Sequence, residues 1–141
     1  RLPLADVMLD NWPCNAHTTA SDALWMGVPI VTLVGEGFAS RVAGSLLHAV
    51  GLPELACRSV ADYEALAIDV ARRPERVQAL RAHLDAGRSG FPLFDGARFA
   101  RDLEALYLRM VERERLGLPP EALPAAASID PPAGAAAGAC A

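Results

Sequence analysis

The chain has 141 residues, enough for one compact domain with a modest core. Its formal net charge is −4 and all 13 of its basic residues are scattered arginines, so it offers no electrostatic footprint for nucleic acid. No run approaches about eighteen uninterrupted apolar residues, which excludes a membrane-spanning helix of the usual kind.

Cys14, Cys57 and Cys140 are widely spaced and odd in number. That pattern gives neither a disulfide framework nor a CxxC zinc site, and a reducing cytoplasm is the expected location. The sequence opens at Arg1 and runs at once into an apolar segment, which reads as a cut through the interior of a domain.

Short β-like runs then alternate with helical ones. Ala5 to Leu9 is the first strand candidate, Thr19 to Met26 a short helix, and Pro29 to Val34 a nearly continuous apolar run of the kind buried in parallel sheets. Ala39 to Val50 reads as a helix with Val42, Leu46, Leu47 and Val50 at helical spacing and Gly51 as its stop. Glu54 to Cys57 is a last short strand. Ser59 caps a helix from Val60 to Arg72, Pro74 opens the next, which ends at Gly87 to Gly90, and a final amphipathic helix covers Asp95 to Leu116. Strands interleaved with helices predict an α/β fold with a parallel sheet.

The composition changes after residue 117. Residues 119–141 contain ten Ala, five Pro and two Gly and no aromatic residue, too little apolar bulk to offset ordering entropy. The expected division is therefore a folded region over 1–117 and a disordered Ala/Pro-rich tail over 118–141.

The chemistry concentrates at His17-Thr18-Thr19 and Asp22, where the first strand gives way to a helix. A strand, a polar loop and a helix opened by hydroxyls form a place where backbone N–H groups and the positive helix end hold a phosphate. Asp22, one turn in, is placed to accept from the vicinal hydroxyls of a ribose. The same residues also spell a capping-box variant, Thr19-Ala20-Ser21-Asp22, in which Thr19 and Asp22 merely close the helix end. Trp12 and Trp25 read as core or pocket-wall aromatics. Glu36 and Arg41 flank the loop after the second strand, as a ligand contact or a local ion pair. His48 and His83 lie within helices and read as structural or exposed.

The segment from Cys14 to Pro29 resembles the donor-binding motif of the protein O-GlcNAc transferase family. The likeness runs in order through Ala5-Asp6-Val7, Leu9-Asp10, Pro13-Cys14-Asn15, His17-Thr18-Thr19, Asp22 with Leu24-Trp25, Gly27 and Pro29, Gly35-Glu36, Ala39-Ser40-Arg41-Val42, Asp62-Tyr63-Glu64, Pro92-Leu93-Phe94 and Leu103 to Leu108. It spans residues 1–116.

The resemblance implies a partial Rossmann-like C-terminal lobe of a two-lobed GT-B glycosyltransferase that moves GlcNAc from UDP-GlcNAc to Ser or Thr of proteins. On that reading Thr18 and Thr19 hold the donor diphosphate, Asp22 the ribose, and His17 stands beside phosphate and sugar, with Cys14 and Asn15 shaping the pocket wall. Ala16 and Ala20 stand where many relatives have Gly. It implies no metal and no cofactor. The phosphate lysine, the uracil-reading loop, the catalytic base, the N-terminal lobe and tetratricopeptide repeats belong upstream, so no catalytic residue is assigned here. The alternatives are a SPINDLY-like fucosyltransferase using GDP-fucose and a non-catalytic module binding a nucleotide sugar or a protein. His17 and Asp22 with Leu24-Trp25 favour the GlcNAc version.

Overall fold

The computed structural model describes residues 1–123. Three parallel strands, β1 (Met8–Leu9), β2 (Ile30–Leu33) and β3 (Ala56–Cys57), form a sheet in the order β1-β2-β3. Met8 pairs with Ile30 and Leu9 with Val31; on the other side of β2, Thr32 pairs with Ala56 and Leu33 with Cys57. Five helices accompany them: α1 (Thr18–Trp25), α2 (Val42–Ala49), α3 (Val60–Arg72), α4 (Pro74–Gly87) and α5 (Gly96–Arg115). The α/β class with a parallel sheet is therefore as the sequence predicts.

All four residues of β2 are buried, and α1, α2 and α3 all contact this strand. A central parallel strand covered in this way needs apolar side chains throughout, which is why Ile30-Val31-Thr32-Leu33 shows no in–out alternation. Around it Leu24, Val28, Leu47, Val50, Leu55, Val70, Leu84 and Phe91 make one continuous core.

Helix ends are set locally. α1 and α2 stop at Gly27 and Gly51, each at φ +74°, and the N–H of Val28 and of Leu52 closes back onto the carbonyl of Ala23 and of Leu47 at 2.8 and 2.9 Å. This left-handed closure demands glycine and satisfies the last carbonyls of each helix. Ser59 accepts from the N–H of Asp62 at 3.1 Å and so caps α3 as expected.

The strands are shorter than their apolar runs. Residues Leu2–Leu4 form a 3-10 turn, and Arg81 of α4 donates to the carbonyls of Ala5 at 2.7 Å and Pro3 at 3.1 Å. Those carbonyls meet a guanidinium instead of a neighbouring strand, so pairing begins only at Met8. A second 3-10 turn, Pro53–Leu55, likewise trims β3 to two residues, and a third, Phe38–Ser40, precedes α2.

α5 buries none of its residues. Phe99, Tyr107 and Met110 on its apolar stripe are more than half exposed, while Leu103 and Leu106 are half-buried, so the described residues cover only part of that stripe. Beyond α5, Arg113 donates to the carbonyl of Pro119 and pairs with Glu121. The rest of the predicted tail, residues 124–141, lies outside the described residues. No helix among those described is long and apolar enough to cross a membrane.

Candidate functional site

The carboxyl ends of β1 and β2 carry two loops that meet over the start of α1, where open α/β sheets collect ligands. Asp10, immediately after β1 and 6% exposed, organises the first loop. Its Oδ1 accepts from the N–H of Asn11 at 2.8 Å and of Ala16 at 2.7 Å, and its Oδ2 from the Thr32 hydroxyl at 2.6 Å. The Tyr63 hydroxyl of α3 donates to the Asp10 carbonyl at 3.0 Å. Burial, then the negative charge of Asp10, raises the Tyr63 phenol above its ordinary range.

Asn15 joins the two loops. It is 4% exposed, its N–H donates to the Ala39 carbonyl at 2.9 Å, and its Nδ2 donates to the carbonyls of Asn11 and Leu33 at 3.0 and 3.3 Å. Its Oδ1 has no partner among the described residues. Cys14, the other expected wall residue, is exposed beside it, next to a cis Trp12–Pro13 peptide. Cys57, by contrast, is buried at the end of β3, and burial followed by the charge of Asp62 raises its thiol.

His17 is the residue that enters α1, with its ring edge-on to Phe38 at a centroid distance of 6.0 Å. The first intrahelical bond runs from Ser21 N–H to His17 C=O, and no side chain caps the helix. The N–H groups of Thr18, Thr19 and Ala20 therefore have no intrahelical acceptor.

The capping-box reading is overturned, because α1 starts two residues earlier than that reading needs, with His17 and not Thr19 at its N-cap. Thr19 lies inside the helix, and Asp22 makes no side-chain hydrogen bond or ion pair with a described residue. Thr18 and Asp22 are four apart and Thr19 and Asp22 three apart, so the three share a face. All three are exposed, while Ala20, Ala23 and Leu24 turn into the core. His17, Thr18, Thr19 and Asp22 thus come together as one exposed polar surface at a helix N-terminus.

Other expectations are corrected. Trp12 and Trp25 are 61% and 46% exposed, so neither is a core residue; Trp25 packs edge-on against Phe94 at 4.9 Å with Arg88 over its ring at 5.6 Å. Arg41 and Glu36 form no ion pair; Arg41 turns instead into a separate cleft beside α2. His48 and His83, by contrast, are as expected: each bonds a backbone carbonyl at 2.8 Å, Gly44 and Val50 respectively, as structural histidines do.

Residues 1–103 match glycosyl transferase family 41. The chain belongs to that family. Over 111 residues, 78% of the chain, it is 46% identical to the probable UDP-N-acetylglucosamine–peptide N-acetylglucosaminyltransferase SEC of Arabidopsis thaliana. It is 40% identical over 110 residues to the protein of rice, Oryza sativa subsp. japonica, carrying the same probable activity under the name SPINDLY. Among solved structures, an O-GlcNAc transferase variant from Thermobaculum terrenum overlays 74% of the chain with a TM-score of 0.67 and 40% identity. The fold is thus that of a Rossmann-like lobe in this family. The chain spans only 11% and 12% of the two curated relatives and 20% of the solved chain.

In this family setting the loop network around Asp10 is the part that sequence reading missed. Its one visible signal is Thr32, a hydroxyl in an otherwise apolar strand, fully buried and so in need of a partner.

Proposed function

We propose that this stretch holds the diphosphate and ribose of a UDP-GlcNAc donor within a larger glycosyltransferase that transfers GlcNAc to Ser or Thr hydroxyls of proteins. The observation that carries the reading is the uncapped N-terminus of α1, presenting the free N–H groups of Thr18, Thr19 and Ala20 beside two threonine hydroxyls. The activities named for the Arabidopsis and rice relatives support it.

In the transfer, the acceptor hydroxyl oxygen bonds to the anomeric carbon as the bond from that carbon to the diphosphate breaks. Negative charge then grows on the leaving phosphate, where amide donors and the positive end of α1 stabilise it. That arrangement supplies charge neutralisation without a metal. The Thr18 and Thr19 hydroxyls donate to phosphate oxygens, and His17 stands where an imidazole N–H reaches the leaving group. The carboxylate of Asp22 accepts from the ribose hydroxyls, and Asn15 Oδ1 offers a further acceptor in the pocket wall. The proton of the acceptor passes to a base outside these residues.

On this reading the protein works in the cytoplasm, with an N-terminal lobe and tetratricopeptide repeats upstream. Thermal unfolding of the full-length protein with UDP, GDP and their sugars tests the donor. Stabilisation by UDP and UDP-GlcNAc is expected; stabilisation by GDP and GDP-fucose alone would move the assignment to the SPINDLY-like reaction, and by neither would remove it.

A further inference from the structure

We propose that the cleft between α2 and the outer edge of the sheet is a second anion site, built for a phosphate monoester carried on a small sugar-like body. The cleft holds 540 Å³, in the range of small-molecule sites. None of His17, Thr18, Thr19 and Asp22 lines it. It is thus distinct from the donor surface and independent of that reading.

One wall is a stripe of α2. Arg41, Gly44, Ser45 and His48 fall at i, i+3, i+4 and i+7 and so share a helix face. Arg58, just after β3, also lines the cleft, and Val34, just after β2, supplies an apolar floor. Gly44 sets the depth: a Cβ there would come within 2.7 Å of Val34 Cγ2, so any other residue would make Val34 or α2 shift.

Charge in the cleft is one-sided. Its lining contains two arginines and a histidine but no carboxylate. The guanidinium groups of Arg41 and Arg58 make no hydrogen bond or ion pair with any described residue, as is also true of Arg72 and Arg101, but Arg41 and Arg58 line one cleft together. In a chain with 17 acidic and 13 basic side chains, carboxylates for these two are not scarce. An external anion completes the arrangement, and the planar guanidinium matches phosphate oxygens in pairs. His48 donates Nδ1–H to the Gly44 carbonyl, which leaves Nε2 unpartnered for a hydroxyl or phosphate oxygen. The apolar floor suits the carbon face of a sugar.

Isothermal titration of the full-length protein, with UDP-GlcNAc in excess to fill the donor surface because it carries no terminal phosphate, tests this with ribose phosphate, inorganic phosphate and ribose as probes. The expected order is ribose phosphate, then inorganic phosphate, with ribose silent. Arg58→Gln and Arg41→Gln should each weaken ribose phosphate by about tenfold or more while UDP-GlcNAc affinity holds. Should Arg41→Gln also disturb the adjoining turn, Arg58→Gln, on a different element, reads the site by itself. No saturable binding of ribose phosphate, or equal affinity in Arg58→Gln, would overturn the proposal. Tighter binding of a phosphoserine peptide than of ribose phosphate would overturn it in favour of a polypeptide site. Failure of UDP-GlcNAc itself to bind would count against the donor reading alone.

Discussion

Asp10 is a buried carboxylate answered only by neutral donors, and three segments depend on it: the loop at Asn11 and Ala16, β2 through Thr32, and α3 through Tyr63. Asp10→Ala strands the Ala16 N–H and the Thr32 hydroxyl, and a loss of about 2 to 4 kcal/mol is expected in denaturant unfolding. Asp22→Ala should behave in the opposite way. It has no side-chain partner among the described residues to lose, so stability should stay within about 0.5 kcal/mol while UDP binding weakens by about 1.5 to 3 kcal/mol in titration of the full-length protein. Tyr63 adds a pH dependence. Its phenol is raised in the folded state, so the folded chain holds that proton more tightly than the unfolded one. The resulting stability is complete below the ordinary phenol value of 10.0 and is lost as pH rises through the folded value. Alkaline unfolding curves should flatten in Tyr63→Phe. His17, Thr18 and Thr19 were legible in the sequence because they are contiguous and sit at a strand-to-helix junction. Asp10 was not, because its partners Thr32 and Tyr63 lie far along the chain and only the fold brings them together.

At the scale of elements, α3 and α4 coincide with their expected bounds because their signals are local: the Ser59 cap, Pro74 in the first turn of α4, and the glycine that ends it. The strands did not, since a strand's length is decided by what its backbone pairs with, and Arg81 claims the carbonyls before Met8. Position 87 makes the packing of α4 testable. A Cβ on Gly87 would lie 2.1 Å from Phe91 Cζ, and Phe91 is among the largest fully buried side chains. Gly87→Ala should therefore cost about 1 to 3 kcal/mol, read as a lower denaturation midpoint, with Gly96→Ala, which meets nothing within 4 Å, as the matched control.

For the whole molecule, the amphipathic pattern of α5 was plain in the sequence but its destination was not, because a periodic stripe says that a face must be covered and not by what. Phe99 at 66% and Met110 at 55% exposure leave much of that face open in this chain. We expect the rest of the full-length protein to cover it. Phe99→Ser should then lower the melting temperature of the full-length protein by several degrees; a change of less than about 0.5 kcal/mol would mean the face stays in water. β1 likewise pairs on one side only. Residues 1–141 expressed alone should accordingly aggregate or melt without a sharp transition, as light scattering and calorimetry would report.

Within five residues the chain passes from an amide locked onto a buried carboxylate, Ala16 on Asp10, to three amides with no acceptor in their helix, Thr18 to Ala20. The support is already rigid before any ligand arrives, so capture of an anion need not order a loop, and the entropy of ordering is not subtracted from affinity. Hydrogen exchange would register this as a sharp boundary: slow at Ala16, fast at Thr18 and Thr19. Adding UDP should slow only the fast side.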